Sequence, residues 1–127
     1  MNILLIDLEP EWVQWIERPA TEEDNKRYGT PVGQLLTLLP NPETFAEAQG
    51  IVFNCPVCIE AKSHMIQIAF RDRGVADHHG TRNSQGVPTR WAASGTDFRD
   101  LTLTPSVDCT PSNPKCWHGF ITNGVVT

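Results

Sequence analysis

Apolar and polar positions alternate with a period of two over much of the chain beyond residue 50, the spacing of half-buried β-strands, whereas residues 1 to 50 show only short, broken runs. Ile51-Val52-Phe53 leads into a Cys-Pro-Val-Cys turn, and Met65, Ile66, Ile68 and Phe70 define a second β run. Trp91-Ala92-Ala93-Ser94 is a third, ended by Gly95-Thr96-Asp97. Leu101, Leu103 and Val107 alternate with Thr102 and Thr104 in a fourth, interrupted by Pro105 as an edge or a bend would allow. Trp117 to Val126 predicts a closing hairpin around Asn123-Gly124, a strong two-residue turn signal.

The front of the chain reads differently. Pro10 separates an extended Ile3 to Leu8 from a short helical stretch, Glu11 to Glu17, whose Trp12 and Trp15 would share an inner face and pack into the core. Residues 19 to 31 read as a polar connection. Gly33 to Leu39 is apolar again, Pro40-Asn41-Pro42 breaks it, and Asn41 or Glu43 starts a short helix through Ala48 that Gly50 would close. Arg71 to Thr89 is long and aperiodic, the mark of a functional or mobile loop. The whole predicts an all-β or β-dominated α+β fold: a small antiparallel β-domain over residues 1–127, with a zinc-knuckle-type metal site and one or two short N-terminal helices.

Composition narrows the functional classes. The chain has 127 residues, 39% of them hydrophobic and 20% charged, as in ordinary soluble globular domains. A net charge of -5 argues against nucleic acid as a partner, because that binding needs Lys and Arg to neutralise phosphates. The arginines at 71, 73, 82 and 90 read as scattered, solvated loop charges. No apolar run approaches the ~20 residues that cross a bilayer, and the first residues lack the positive flank of a signal peptide. A reducing cytoplasm is the expected location, and there cysteines read as metal ligands before disulfides.

The candidate chemistry lies in two stretches: Cys55-Pro56-Val57-Cys58 followed by His64, and Cys116-Trp117-His118. A Cys-x-x-Cys turn lets two thiolates converge on one ion, and zinc takes thiolates and imidazoles in a tetrahedron. If Cys116 and His118 lie on one strand, residues two apart share a face and both reach the same ion. Cys55, Cys58, Cys116 and His118 then form a structural Zn2+ site, with His64 as a fifth candidate and Cys109 as an alternative that would make it all-thiolate. A catalytic variant would use a Cys55 or Cys58 thiolate, His64 and His118, with Glu60 as general base. His78 and His79 are adjacent, and adjacent side chains on an extended chain point apart, so they read as a solvated pair. Ser94 and Ser106 have no base partner visible in the sequence and read as turn or strand-end hydroxyls.

The ordered blocks Phe53-Asn54-Cys55-Pro56-Val57-Cys58, Trp91 with Ser94-Gly95, Leu101 to Val107, and Cys116-Trp117-His118-Gly119-Phe120-Ile121-Thr122-Asn123-Gly124 resemble those of a family of small proteins common in tailed bacteriophages and prophages. Its members are sometimes mislabelled as ammonia monooxygenase. The opening Asp7-Leu8-Glu9-Pro10-Glu11-Trp12-Val13 is similar to that family's start. The resemblance implies metal binding through Cys and His, and a setting beside bacterial ubiquitin-like conjugation genes. The expected function is a non-enzymatic, phage-encoded zinc protein in the host cytoplasm or the virion, acting on a host or phage protein through the Arg71 to Thr89 loop and aromatic residues near Trp91 and Trp117. The alternative is a metal-dependent hydrolase, a peptidase tied to ubiquitin-like conjugation.

Overall fold

Antiparallel ladders account for every strand of the computed structural model, which describes residues 2–58, 64–109 and 116–127. In chain order the elements are β1 (Ile3–Leu4), a 3-10 turn (Leu5–Leu8), β2 (Glu11–Val13), β3 (Ile16–Pro19), α1 (Glu22–Tyr28) and β4 (Leu35–Leu38). A second 3-10 turn (Phe45–Glu47) precedes β5 (Gly50–Asn54), β6 (Met65–Ala69), β7 (Ala92–Ser94), β8 (Thr102–Asp108), β9 (His118–Thr122) and β10 (Val125–Val126). The largest sheet runs β1-β10-β9-β8-β7, a second runs β2-β5-β6, and β3 pairs with β4. None of the described helices is long and apolar enough to cross a membrane.

A bridge between Phe70 and Trp91 links the two larger sheets. Trp91, just before β7, donates its backbone N–H to Ala69 at 3.0 Å and accepts from Arg71 at 2.8 Å, so β6 hands the chain edge to β7. Between the sheets lies one apolar core, in which Ile51, Phe53, Ile66 and Ile68 meet Leu103, Val107, Ile121 and Val126. β5 is buried along its whole length, which is why Gly-Ile-Val-Phe carries no charge. Its one polar member, Asn54, donates to Glu9 at 3.1 Å and so is not left unpaired.

The front half departs from the helical reading. Glu11 to Glu17 is not a helix: Trp12 pairs with Ile51 across β2 and β5 and stacks on Phe98 at 4.1 Å between centroids, while Ile16 and Glu17 belong to β3. Strand pairing with the core outweighs the helical spacing of the two tryptophans. The α-helix falls instead inside the polar connection. Thr21 Oγ1 accepts from the Asp24 N–H at 3.2 Å, and the Asp24 carboxylate accepts from the Thr21 N–H at 2.8 Å, a capping box that starts α1 without any apolar face. The expected second helix shrinks to the 3-10 turn at Phe45–Glu47, and Gly50 opens β5 rather than closing a helix.

The later strands lie close to their predicted bounds. Pro105 falls in β8 between β7 and β9, where the register shifts between Leu103 and Val107, so it marks a bend and not an edge. Asn123 and Gly124 both have positive φ, 48° and 74°, as a two-residue β10 hairpin requires. A Cβ on Gly124 would also stand 2.3 Å from the Arg99 carbonyl oxygen, so only glycine fits.

The Arg71 to Thr89 stretch is held by its arginines. Arg73 donates to the Phe45 and Ala48 carbonyls at 2.9 and 2.7 Å with its guanidinium 4.5 Å above the Phe45 ring. Arg82 donates to Gly86 and Asp77, and Arg90 to Thr89, Ala76 and His79, all at 2.7 to 2.9 Å. These are not free solvated charges: each replaces part of the backbone pairing that an aperiodic segment lacks.

Candidate metal centre and serine cleft

The Cys-x-x-Cys turn leaves the end of β5 and returns into β6. The Cys55 N–H donates to the His64 carbonyl at 3.0 Å and the Cys58 N–H to the Cys55 carbonyl at 3.2 Å, which closes a tight knuckle. The second stretch enters from the far side of the core. Cys116 lies in a bend before β9, and its sulfur stands 3.4 Å from Cys55 Sγ and 3.3 Å from His64 Nδ1. The ligand atoms of Cys55, Cys58, His64 and Cys116 all lie within 4.8 Å of one another. Around a tetrahedral zinc with Zn–S of about 2.3 Å, neighbouring sulfurs stand about 3.8 Å apart, so these spacings fit one ion. Two bonded sulfurs would stand at about 2.05 Å, and all four cysteines are free thiols. The cluster could hold a metal ion.

The Cys55 pKa is lowered, whereas burial raises those of the other three thiols, Cys58, Cys109 and Cys116. Burial pushes the Cys55 thiol up, but the backbone N–H groups of Cys58 and Val57 and the Cys116 thiol outweigh it and bring Cys55 down to about 7. Burial, then the neighbouring Cys116 sulfur, pushes Cys109 up to about 12, which keeps it a neutral thiol. Cys109 is half-buried against the core and its N–H extends the β8–β9 ladder to the Trp117 carbonyl at 3.0 Å.

His118 is placed elsewhere than the sequence suggests. The rule that residues two apart share a face requires both to lie on the strand, and β9 begins only at His118. Cys116 turns inward and is 8% exposed, while His118 turns out on the opposite side of β9. There its Nε2 meets Ser106 Oγ at 3.3 Å. Glu60, the expected base of a catalytic metal, lies outside the described residues. Trp91 and Trp117 are 9% and 3% exposed, so they are core residues and not surface anchors.

Ser106 and His118 face each other because β8 and β9 are neighbours. Asp108 sits directly opposite His118 in the register, and Ser106, two residues earlier on β8, shares the face of Asp108. Trp91 Nε1–H donates to the Ser106 carbonyl at 3.2 Å and fixes the strand there. Gly119, next to His118, has room for no side chain: a Cβ would lie 1.9 Å from the Thr127 oxygen. In the sequence Ser106 reads as a turn or strand-end hydroxyl with no base partner; the fold places it beside His118. The available signal was that Ser106 and His118 both fall on the outward positions of alternating strands.

Ser106 lines a cleft of about 820 Å³ between β8 and the free edge of β6, lined also by His64 and Cys109 and by Arg82 and Thr89 of the long loop. The β6 edge is unpaired here. His64 and Phe70 bond toward β5, so the even-numbered backbone groups point inward and those of Met65, Gln67 and Ala69 point outward. Trp91 takes the Ala69 carbonyl, while the backbone groups of Met65 and Gln67 have no partner among the described residues and face the cleft.

Residues 36–127 match the family model described as bacterial ubiquitination-like system serine protease (BubE), a span that contains both the thiol cluster and the Ser106–His118 pair. Neither curated proteins nor solved structures gave a match.

Proposed function

The chain belongs to the BubE family of bacterial ubiquitination-like system serine proteases, and we propose that it is a zinc-stabilised serine peptidase with Ser106 as nucleophile and His118 as its base. The carrying observation is the Ser106 Oγ to His118 Nε2 contact of 3.3 Å at the wall of a cleft, within reach of the looser geometry that such pairs show before substrate binds. Ser106 Oγ attacks the scissile carbonyl carbon and its proton passes to His118 Nε2. The C–N bond then breaks, His118 returns that proton to the leaving amine, and water releases the acyl group by the reverse path, regenerating Ser106. This requires the His118 proton on Nδ1, and Asp108, across the ladder on the same face, is the group we assign to hold that tautomer.

Zinc supplies structure, not the attacking group. The three thiols and His64 would clamp the β5–β6 turn to the entry of β9, and so set the height of His118 against Ser106 two residues beyond the last ligand. A site made of four protein ligands has no position for a reacting water. The expected substrate is the extended tail of a ubiquitin-like protein, which the setting of the family in such systems suggests.

A serine-directed phosphonate should add one adduct mass to the folded protein, on the peptide containing Ser106. A folded, metal-loaded protein left unmodified at Ser106 would remove the nucleophile from this reading. The open edge of β6 suggests how the tail lies: as an added strand on Met65 and Gln67. Gln67→Pro removes an outward N–H that β5 does not use, so it spares the fold while taking one substrate hydrogen bond. At about 1 kcal/mol for that bond, KM for a tail peptide should rise about fivefold with little change in melting temperature. An unchanged KM would place the tail elsewhere.

A further inference from the structure

We propose that Glu17, His78 and His79 form a second metal site, separate from the thiol cluster and taking a divalent transition ion through two imidazoles and one carboxylate. The ligand atoms of the three residues lie within 4.8 Å of one another. Adjacent histidines were expected to point apart, but the chain turns here and brings the ring centroids to 4.2 Å, with both Nε2 atoms aimed at the same Glu17 oxygen.

The environment of His79 makes this more than a surface ion pair. Its side chain is 10% exposed, its ring lies parallel to Trp15 at 6.4 Å, its N–H donates to Ala76 at 3.0 Å and its carbonyl accepts from Arg90 at 2.8 Å. The ring is therefore fixed by its surroundings. Its Nε2 is fully buried and lies 2.5 Å from Glu17 Oε1. Two ring nitrogens and a carboxylate oxygen converge on one point, which a cation bound among them would occupy. Imidazole with carboxylate is the donor set of zinc, nickel or copper(II) rather than of calcium or magnesium. His78 is 63% exposed, leaving one side open to water ligands.

The site would have a mechanical consequence. Glu17 is anchored in β3 by its pairing with Thr37 of β4, while His78 and His79 belong to the loop whose later residues wall the cleft. An ion here would pin that loop to the β3–β4 hairpin. The inference stands whether or not the peptidase reading does, since it uses none of the same residues.

Cobalt(II) titration of protein already loaded with one zinc tests it. A second equivalent should bind with weak visible d–d bands and without the intense near-ultraviolet charge-transfer absorption of a thiolate ligand. Affinity should fall at least tenfold in Glu17→Gln and in His78→Ala, the latter an exposed change that leaves the fold intact. Absence of a second equivalent at micromolar cobalt, thiolate charge-transfer absorption, or binding by either variant as tight as that of the unaltered protein would overturn the proposal.

Discussion

Removing the ion from the thiol cluster, by chelation or by Cys55→Ser, lowers the melting temperature by about 10 to 15 °C or abolishes the cooperative transition. Cys55 and Cys116 are 61 residues apart in sequence, and an ion held by the cluster would join them. A cross-link closing a loop of that length removes about 4 kcal/mol of unfolded-chain entropy, in a domain whose total stability is of order 5 to 15 kcal/mol. For a chain of this size each kcal/mol shifts the melt by about 3 to 4 °C. The change also strands a buried thiol cluster whose sulfurs lie 3.4 Å apart and no longer share a cation. Cys109→Ser is the control. Its thiol is held neutral by burial and lies outside the cluster, so metal content should stay the same and only a small packing loss should appear. Calorimetry with metal analysis reads both. Equal melts for loaded and stripped protein would mean that packing alone joins the two sheets.

Ser106→Ala should abolish cleavage of a ubiquitin-like protein carrying a C-terminal extension, a loss of about 1,000-fold or more, while metal content and melting temperature hold. His118→Ala should lose as much, and the double variant little more, because the two residues act on one proton. Ser106 is half-exposed and, among the described residues, its hydroxyl hydrogen-bonds to His118, so its loss should cost the fold little. This separates a nucleophile from a structural hydroxyl. If His118 were instead a metal ligand, His118→Ala would lower metal content along with activity. If Ser106→Ala retained cleavage, the nucleophile would be another group.

The parts of this protein that a sequence discloses are those decided locally. β5, β6 and the β9–β10 hairpin follow from a period of two and an Asn-Gly turn, signals that lie within a few residues. Trp12 and Trp15 misled because a spacing of three suits a helix, but the partner strand that makes β2 possible lies at Gly50 to Val52, far along the chain. α1 was hidden for the opposite reason: it has no apolar stripe, only the Thr21 to Asp24 capping box and an Arg18–Asp24 ion pair. The thiol cluster was legible from Cys55, Cys58 and Cys116 because few residue types bind soft metals. Which histidine completes it was not. That depended on where β9 begins, and a shift of one bend sends His118 to the other side of the strand. Ser106 illustrates the same limit, since its chemistry resides in a neighbour twelve residues away on the next strand.

The arrangement also explains why a small peptidase would carry a metal that does no chemistry. The Ser106–His118 pair lies on one surface of the β8–β9 ladder, while the opposite surface of that ladder faces the shared core. Cys116 is the hinge between them, and tying it to Cys55 fixes where the strand bearing His118 begins.

A crystal structure of the zinc-loaded protein, with anomalous data collected at the zinc edge, tests the central claim most directly. The account predicts an anomalous peak bounded by Cys55, Cys58, His64 and Cys116, with the His118 ring outside it and hydrogen-bonded to Ser106. A peak that takes His118 as a ligand, or thiols at 55 and 116 lying apart with no ion between them, would contradict it.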